Sequence, residues 1–192
     1  MWSSPVTVTA PLSEPVSIEQ AKEFLSIDAG EDYFDALLEA FVAVAREQVE
    51  AITGTRLVEQ TVRLEASSFA DLAKLPIGPV SEISGIMHDD ADGVEQVFAA
   101  TDWELLGSGL EQGIGLRVGK SWPSSFRSKP GAIRITAQVG YTEVPKPIWA
   151  AMLLMVGDLF ANRETAVTGT VAAKVPMSTT VDALLSNYRL WA

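Results

Sequence analysis

The sequence has 192 residues, of which 47% are hydrophobic and 20% are charged, and its formal net charge is −11. This length and apolar fraction suit one globular domain, or a domain with an insertion, and exclude wholesale disorder. The absence of cysteine excludes disulfide scaffolds, thiolate zinc sites and cysteine nucleophiles, and the net acidity argues against general binding of DNA, whose phosphates need clustered lysine and arginine.

No segment of the sequence has the pattern of a membrane span or a secretory signal. The longest apolar stretch, residues 148–156, is about half of the ~20 residues that a membrane-spanning helix needs. The first residues have neither the basic nor the apolar region of a signal peptide. We therefore expect a soluble protein that is made in the cytoplasm and does not bind membranes.

The N-terminal part is predicted to be an extended arm followed by a short helix. Residues 1–16 contain three prolines, which favour extended backbone. Ser17 and Gln20 have the spacing of a capping box, in which the serine hydroxyl accepts a hydrogen bond from the Gln20 amide. The helix is expected to end near Ser26 and to bury Ile18, Ala21, Phe24 and Leu25.

Residues 32–53 show the firmest helical pattern in the chain. Their apolar residues recur at helical spacing, and Gly54 stands where a left-handed residue commonly ends a helix. The first two helices are therefore predicted within residues 17–54. The apolar residues of the second helix are Phe34, Leu37, Leu38, Phe41, Val44, Ala45, Val49 and Ile52.

The period of the pattern then changes from that of helices to that of strands. Residues 61–66, 83–86 and 133–137 alternate as strands do. Prolines and glycines interrupt the stretch at turn-like intervals. Residues 55–141 are therefore predicted to be a mostly antiparallel β section of five or six short strands.

Helix is predicted again over residues 146–164, since proline is tolerated in the first turn of a helix. Residues 17–164 are expected to form one domain, and residues 1–16 form its arm. Residues 165–192 are predicted to be a mobile loop and a last helix that begins near Thr179 and continues to the terminus. The predicted fold class is α+β: a small bundle of about four helices, with the β section inserted between the second and third.

Charge is distributed unevenly along the chain. Residues 1–54 carry ten acids and two bases. No acid lies between Glu111 and Glu143, where five bases occur. A solvated basic loop beside a strand explains this run, and so does an electrostatic docking face for an acidic neighbour, such as another copy's acidic helix. The five bases are Arg117, Lys120, Arg127, Lys129 and Arg134.

A search for catalytic and metal-binding patterns finds none that is complete. The single histidine, His88, precedes three aspartates in residues 89–92, but an EF-hand calcium loop needs acids where His88 and Ala99 stand. A tight turn between two strands, which Asp-Gly favours, explains the stretch better. A Ser-His-Asp triad needs that same histidine, which is expected on the exposed turn. We therefore predict no enzyme activity, no catalytic residues, no cofactor and no metal.

The C-terminal residues have two open interpretations. Trp191 lies one residue from the end, where a tryptophan rarely finds a pocket in its own fold unless its helix docks back. Burying a tryptophan is worth roughly 4–6 kcal/mol before ordering costs. The last helix therefore either packs on the chain's own core or binds a partner.

Three stretches of sequence carry a resemblance to a known family. The first is SIEQAK at 17–22 with EAITGTRL at 50–57 and QTV at 60–62, and the second is LPIGPVSEI at 75–83. The third runs from GY at 140–141 through VP at 144–145 and NRE at 162–164 to LL at 184–185 and YR at 188–189. Together they resemble the head–tail connector (adaptor) proteins of long-tailed phages and gene transfer agents, in the branch with a β insertion. The resemblance covers roughly residues 15–191.

This resemblance implies a structural protein at the head–tail junction of a virion or phage-like particle. The family forms rings, commonly of twelve copies, between the portal protein and the stopper or tail-terminator protein, and DNA passes through the lumen. An acidic lumen repels phosphates, so the DNA is expected to slide without specific binding. The C-terminal segment is implied to bind the portal through Leu184, Leu185, Tyr188, Arg189, Leu190 and Trp191.

Two other functions remain open from the sequence. One is a neighbouring tail-completion role of the stopper or terminator type. The other is a ligand- or sugar-binding β module, in which Trp103, Trp122 and Tyr141 form an aromatic platform.

Overall fold

The computed structural model describes residues 1–162 and 179–190. Contacts divide the chain into two compact units. The β unit comprises residues 1–12, 54–142 and 190, and the helical unit comprises residues 13–53, 143–162 and 179–189. In chain order the elements are β1 (Val6–Thr9), α1 (Ile18–Leu25), α2 (Asp35–Thr53), β2 (Gln60–Ala66), a 3-10 helix (Phe69–Ala73), β3 (Val80–Asp89), β4 (Glu95–Phe98), β5 (Trp103–Ser108), β6 (Glu111–Leu116), β7 (Ile133–Val139), α3 (Lys146–Ala161), α4 (Thr179–Leu185) and a second 3-10 helix (Ser186–Tyr188).

The predicted α+β fold class is confirmed. Six strands, β2 to β7, lie between α2 and α3 along the chain, and every strand pair in the described residues is antiparallel. Within the predicted arm, Val6–Thr9 form β1, which pairs with β2. Helix α3 ends at Ala161, and residues 163–178, which include the predicted loop, lie outside the described residues.

Helix α1 begins with the predicted capping box. The Gln20 amide donates to the Ser17 hydroxyl over 3.2 Å, and the Ser17 amide donates to the Gln20 side chain over 3.0 Å. Ser26 ends the helix in the left-handed region, with φ of 59°. Ala21 is buried as predicted, but Phe24 is 44% exposed, so its predicted burial is wrong. Its ring lies over the backbone of Gly157 in α3, which has no side chain to meet it.

Helix α2 starts three residues later than the sequence pattern predicts. The Asp35 amide donates to the Asp32 carbonyl over 3.1 Å, so residues 32–34 form a turn and Asp35 opens the helix. The buried Lys22 ammonium of α1 forms an ion pair with the Asp35 carboxylate and thereby links the two helices. Val44, which the pattern placed in the core, is 46% exposed. The buried stripe instead runs through Leu38, Val42, Ala45 and Val49.

The core of the β unit lies on one face of a five-stranded sheet with the order β1-β2-β7-β3-β4. In the two central pairings, Leu64 of β2 lies opposite Ile135 of β7, and Ile135 lies opposite Ile86 of β3. All three side chains are fully buried. Because side chains alternate between the faces of a sheet, this register directs every second residue of β2 and β7 into the same core. The register of β3 shifts twice, so its core residues Val80, Ile83 and Ile86 are three positions apart.

The separate β5-β6 hairpin is attached to the sheet by the buried side chain of Gln112. Its Oε1 accepts from the Val80 amide over 2.7 Å, and its Nε2 donates to the Val80 carbonyl over 2.8 Å. The next residue, Gly113, lies so close to the Ala73 carbonyl that a Cβ at this position overlaps it. Leu75 donates its amide to the Gln112 carbonyl over 2.8 Å. The hairpin is therefore held by polar contacts of fixed geometry.

We predict that Gln112→Leu destabilises the protein, because it leaves the amide and the carbonyl of Val80 buried without a partner. The expected cost is about 1–3 kcal/mol for each of these two groups. Urea denaturation followed by tryptophan fluorescence measures the change. The matched control is Gln48→Leu, at an exposed position of α2, which is expected to change the stability by no more than ~0.5 kcal/mol. Equal effects of the two substitutions contradict this role of Gln112.

Candidate interaction surfaces

The segment that joins β6 to β7, residues 117–132, is the longest described stretch without strand or α-helix, and we name it the basic loop. Loops of this length that have no secondary structure are uncommon in compact domains, and they are usually functional or disordered. This loop is ordered by two sets of contacts, one aromatic and one ionic.

The aromatic contacts bind the middle of the basic loop to the core of the β unit. Trp122 stacks on Phe69 with 4.9 Å between ring centroids and 15° between planes, and Phe126 meets Phe69 edge to face at 5.1 Å. Trp122 also lies 5.1 Å from Phe98. The packing role of Trp122 explains its place in the sequence. Trp103 is 8% exposed, so the two tryptophans do not form an open platform for a sugar ring.

The ionic contacts converge on Asp89 at the end of β3. Its carboxylate accepts from the Arg134 guanidinium over 2.6 Å and from the Lys129 ammonium over 2.8 Å. Its carbonyl accepts from the Arg127 amide over 3.0 Å, and its amide donates to the Ala132 carbonyl over 2.9 Å. Hydrogen bonds from Arg134 and then Lys129 lower the pKa of Asp89 to about 2. Asp89 therefore fixes the C-terminal part of the basic loop through both its side chain and its backbone.

Internal pairing neutralises three of the five predicted cations. Besides Lys129 and Arg134, the Lys120 ammonium pairs with Asp102 over 2.7 Å, and this hydrogen bond lowers the pKa of the Asp102 carboxyl. Arg117 donates from Nε to the Trp103 carbonyl over 3.0 Å and has no acidic partner among the described residues. The guanidinium of Arg127 also has none in the part of the chain that the structure describes. The charge left for a partner is carried mainly by Arg117 and Arg127.

His88 is buried, so its predicted exposure on a turn is wrong. Strand β3 continues through Asp89, and His88 packs edge to face against Phe69 with 5.6 Å between the rings. Burial lowers the pKa of His88 and keeps the imidazole neutral. The turn follows at residues 90–93, where the Asp90 carboxylate accepts from backbone amides of the turn and its pKa is lowered, most by the Gln96 side chain.

The aspartates around this turn therefore have protein partners instead of a metal arrangement. Within residues 1–162 and 179–190, no group of three or more His, Asp or Glu side chains has the geometry to hold a metal ion. In the same residues, no helix is both long enough and apolar enough to cross a bilayer.

The C-terminal segment packs partly on the helical unit. Helix α4 ends at Leu185 and gives way to a 3-10 turn, so the predicted continuous helix to the terminus is wrong. Val181 and Leu185 are fully buried, and α4 contacts α3. Arg189, which follows the 3-10 turn, forms an ion pair with Asp182 of α4.

The other predicted portal-binding residues lie closer to the surface. Leu184, Tyr188, Arg189 and Leu190 are partly buried. Trp191 lies outside the described residues.

The helical unit carries an acidic surface that the sequence analysis did not single out as a site. We name residues 28–33, between α1 and α2, the acidic turn. Asp28, Glu31 and Asp32 are exposed and pair with no cation among the described residues, whereas Glu14 and Glu50 pair with Arg46. The density of acids at residues 28–35 was visible in the sequence. Which of them stay unpaired depends on contacts between distant residues.

An aromatic chain holds the acidic turn in place. Tyr33, at its end, is 81% exposed and meets Phe34 edge to face with 4.9 Å between centroids. Phe34 in turn meets Phe160 of α3 at 5.4 Å. The turn therefore presents three unpaired carboxylates and one exposed aromatic ring from an anchored position.

Comparisons with known proteins identify the fold. No protein-family model matches the sequence, and no curated protein sequence matches it. Solved structures, however, do match this chain. A chain in the neck of an empty gene transfer agent (GTA) particle, computed with C6 symmetry, matches with a TM-score of 0.76 at 20% identity, over 99% of this chain and 97% of that chain. This protein shares its fold with a chain of gene transfer agent necks.

Two further matches cover the same shares of both chains. A chain in the virion of a native gene transfer agent particle matches with a TM-score of 0.75 at 20% identity. A chain in the neck of the native particle, computed with C12 symmetry, matches with a TM-score of 0.69 at 23% identity. The agreement extends through both units of the chain and includes the inserted β section.

We predict that Asp89→Asn makes stability less sensitive to acid. The pKa of Asp89 is about 2 in the folded protein and 3.8 ordinarily, so the stability that it contributes is complete above about pH 4 and is lost as the pH falls through about 2. Free energies of unfolding measured from pH 7 to pH 2 are expected to fall less steeply in that window for the variant.

The matched control for this experiment is Asp92→Asn, in the adjacent exposed turn, which is expected to keep the wild-type slope between about pH 4 and pH 2. His88 adds a separate dependence at higher pH. Because burial lowers its pKa below 6.5, the unfolded chain binds the proton more tightly and stability already decreases as the pH falls below that value. An unchanged slope in Asp89→Asn contradicts the assignment of Asp89.

Proposed function

We propose that this protein is a structural head–tail connector (adaptor) subunit in the neck of a phage or a gene transfer agent particle. The observation that carries the proposal is the match over 99% of this chain and 97% of a chain in a gene transfer agent neck. Because the match covers nearly all of both chains, it favours a common role more strongly than a match over one shared domain would. The family resemblance of the sequence points to the same role.

The proposed role is non-enzymatic. The single histidine is buried against Phe69, where it cannot reach a substrate. Asp89 and Asp102 are engaged in ion pairs, and Asp90 caps its own turn. These partners account for the pKa shifts of the carboxylates, so the shifts reflect structural contacts.

We propose that the subunits form a ring of twelve through which DNA passes. The neck structures that share the fold were computed with C6 and C12 symmetry, and cyclic rings are built from heterologous contacts between identical subunits. Residues 13–53 carry ten acids against Lys22 and Arg46. Where this acidic surface faces the lumen, it repels phosphates and lets DNA slide. Measured binding to DNA that weakens steeply with salt contradicts this part of the proposal.

The ring is proposed to lie between the portal protein and the stopper or tail-terminator protein. The C-terminal segment is proposed to bind the portal, through the partly buried Leu184, Tyr188 and Leu190 together with Trp191. Arg189 pairs with Asp182 in the free subunit and can exchange this partner for a portal carboxylate. Leu185 contacts the portal only if α4 leaves α3, because it is fully buried in the helical unit.

We predict that the purified chain co-sediments with its cognate portal ring and that a chain ending at residue 176 does not. Tyr188→Ala is expected to weaken binding by about tenfold or more if it is an interface anchor. The matched control is Leu12→Ala, at a residue that is 99% exposed in the β unit, which is expected to bind normally.

The possible outcomes separate the adaptor role from its neighbours. Binding by the full chain that the truncation abolishes supports the adaptor role and assigns the contact to the C-terminal segment. Failure of the well-folded full chain to bind the portal rejects the adaptor role and favours a stopper or terminator position in the same neck.

A further inference from the structure

We propose that the basic loop of one copy binds the acidic turn of the next copy around the ring. The proposal rests on the ring described above and specifies the contact that closes it. On one side are Arg117, Val118 and Arg127, and on the other are the carboxylates and the aromatic ring of residues 28–33.

The basic loop carries an exposed apolar side chain and two cations that pair with no acid among the described residues. Val118 is fully exposed, and it follows Arg117 directly. Gly119 has a φ of +80°, which closes the turn at the tip and keeps Val118 pointing outward from a tight bend. Arg127 and Arg117 are the two cations of the loop that the described acids leave unneutralised. A partner that covers Val118 removes its apolar surface from water, which favours binding.

The acidic turn offers the complement of these groups. Asp28, Glu31 and Asp32 lack cationic partners among the described residues, and Tyr33 exposes 81% of its surface beside them. A tyrosine ring can cover Val118 while the carboxylates accept hydrogen bonds from the guanidinium groups. Guanidinium and carboxylate form the strongest of the charged hydrogen bonds, because both are planar and can pair through two bonds.

A second copy fits this surface better than DNA does. Non-specific DNA binding requires many phosphate contacts, but only two cations of the loop lack an acidic partner within residues 1–162 and 179–190. The net charge of the sequence is −11. A ring of identical subunits also needs two different complementary surfaces on each copy, and the loop and the turn are such a pair. Exposed ion pairs alone are worth about 0–1 kcal/mol each, so the burial of Val118 against Tyr33 is an essential part of the contact.

The absence of cysteine makes a direct test possible. One preparation carries Ser121→Cys in the basic loop and another carries Ala29→Cys in the acidic turn; both positions are exposed, and Val118 and Tyr33 stay in place. The two are mixed on the cognate portal ring and treated with a short bismaleimide, and mass spectrometry identifies the cross-linked dimers. Because each chain has one thiol, a cross-link between residues 121 and 29 joins two copies. The matched control replaces the first variant with Val97→Cys, at a position of β4 that is 72% exposed.

The expected result is a mixed dimer that forms at least about tenfold faster than with the control. Adding Arg117→Glu and Arg127→Glu to the Ser121→Cys chain is expected to remove this advantage. Adding Asp28→Lys, Glu31→Lys and Asp32→Lys to the Ala29→Cys chain is then expected to restore it, because the charges again oppose each other. All substituted positions are exposed, and circular dichroism verifies that each variant is folded.

Two results overturn the proposal. One is a cross-linking rate no higher than that of the Val97→Cys control, and the other is a rate that charge reversal leaves unchanged. If the charge-reversed loop instead loses affinity for DNA while cross-linking is unaffected, the loop binds nucleic acid and the contact between copies is wrong. If the chain still binds the portal ring normally in any of these cases, the adaptor role is unaffected. Loss of portal binding by the wild-type chain refutes the adaptor role separately.

Discussion

A carboxylate with little access to water needs donors for its oxygens, because a buried charge without partners is costly. Asp89 meets this requirement by accepting from Arg134 and Lys129, and its backbone groups bind the same loop. If the basic loop leaves the β unit, Asp89 loses the Lys129 donor and its backbone partners in the loop, whereas Arg134 of β7 stays in place. Asp89 thus helps to keep a stretch of irregular backbone in a single conformation and neutralises one of the loop's cations.

The aromatic contacts act on the same loop by a different physical mechanism. Stacking of Trp122 on Phe69 buries apolar surface, which is insensitive to salt and to pH, whereas the pairing of Asp89 weakens in acid. His88 lies beside the same phenylalanine as a neutral imidazole. The loop is therefore anchored at its middle by packing, near its C-terminal end by Asp89 and at Lys120 by Asp102. Val118 is fully exposed in the turn between Arg117 and Lys120.

The sequence predicted the features that depend on neighbouring residues. The capping box of Ser17 and Gln20, the α+β order of elements and the strand alternation are local patterns, and the structure confirms them. Contacts between distant residues decided the rest. Asp89 and Arg134 are 45 positions apart, so the sequence left open whether the run of five bases was a solvated loop or a docking face. The burial of His88 depended on how far β3 extends. The exposure of Phe24 depended on how α1 packs on the other helices of its unit.

The C-terminal segment shows why an apolar pattern alone leaves its partner undetermined. An apolar stripe has the same sequence whether it covers the chain's own core or a second protein, since both burials are driven by the same loss of apolar surface from water. In the structure, Leu185 of this apolar stripe packs with α3, whereas Leu184 and Tyr188 keep part of their surface exposed. A short helix with one side already anchored loses less conformational freedom when its other side meets a partner than a free segment does. The anchoring of α4 therefore favours binding at its exposed side, without release of the helix from its own unit.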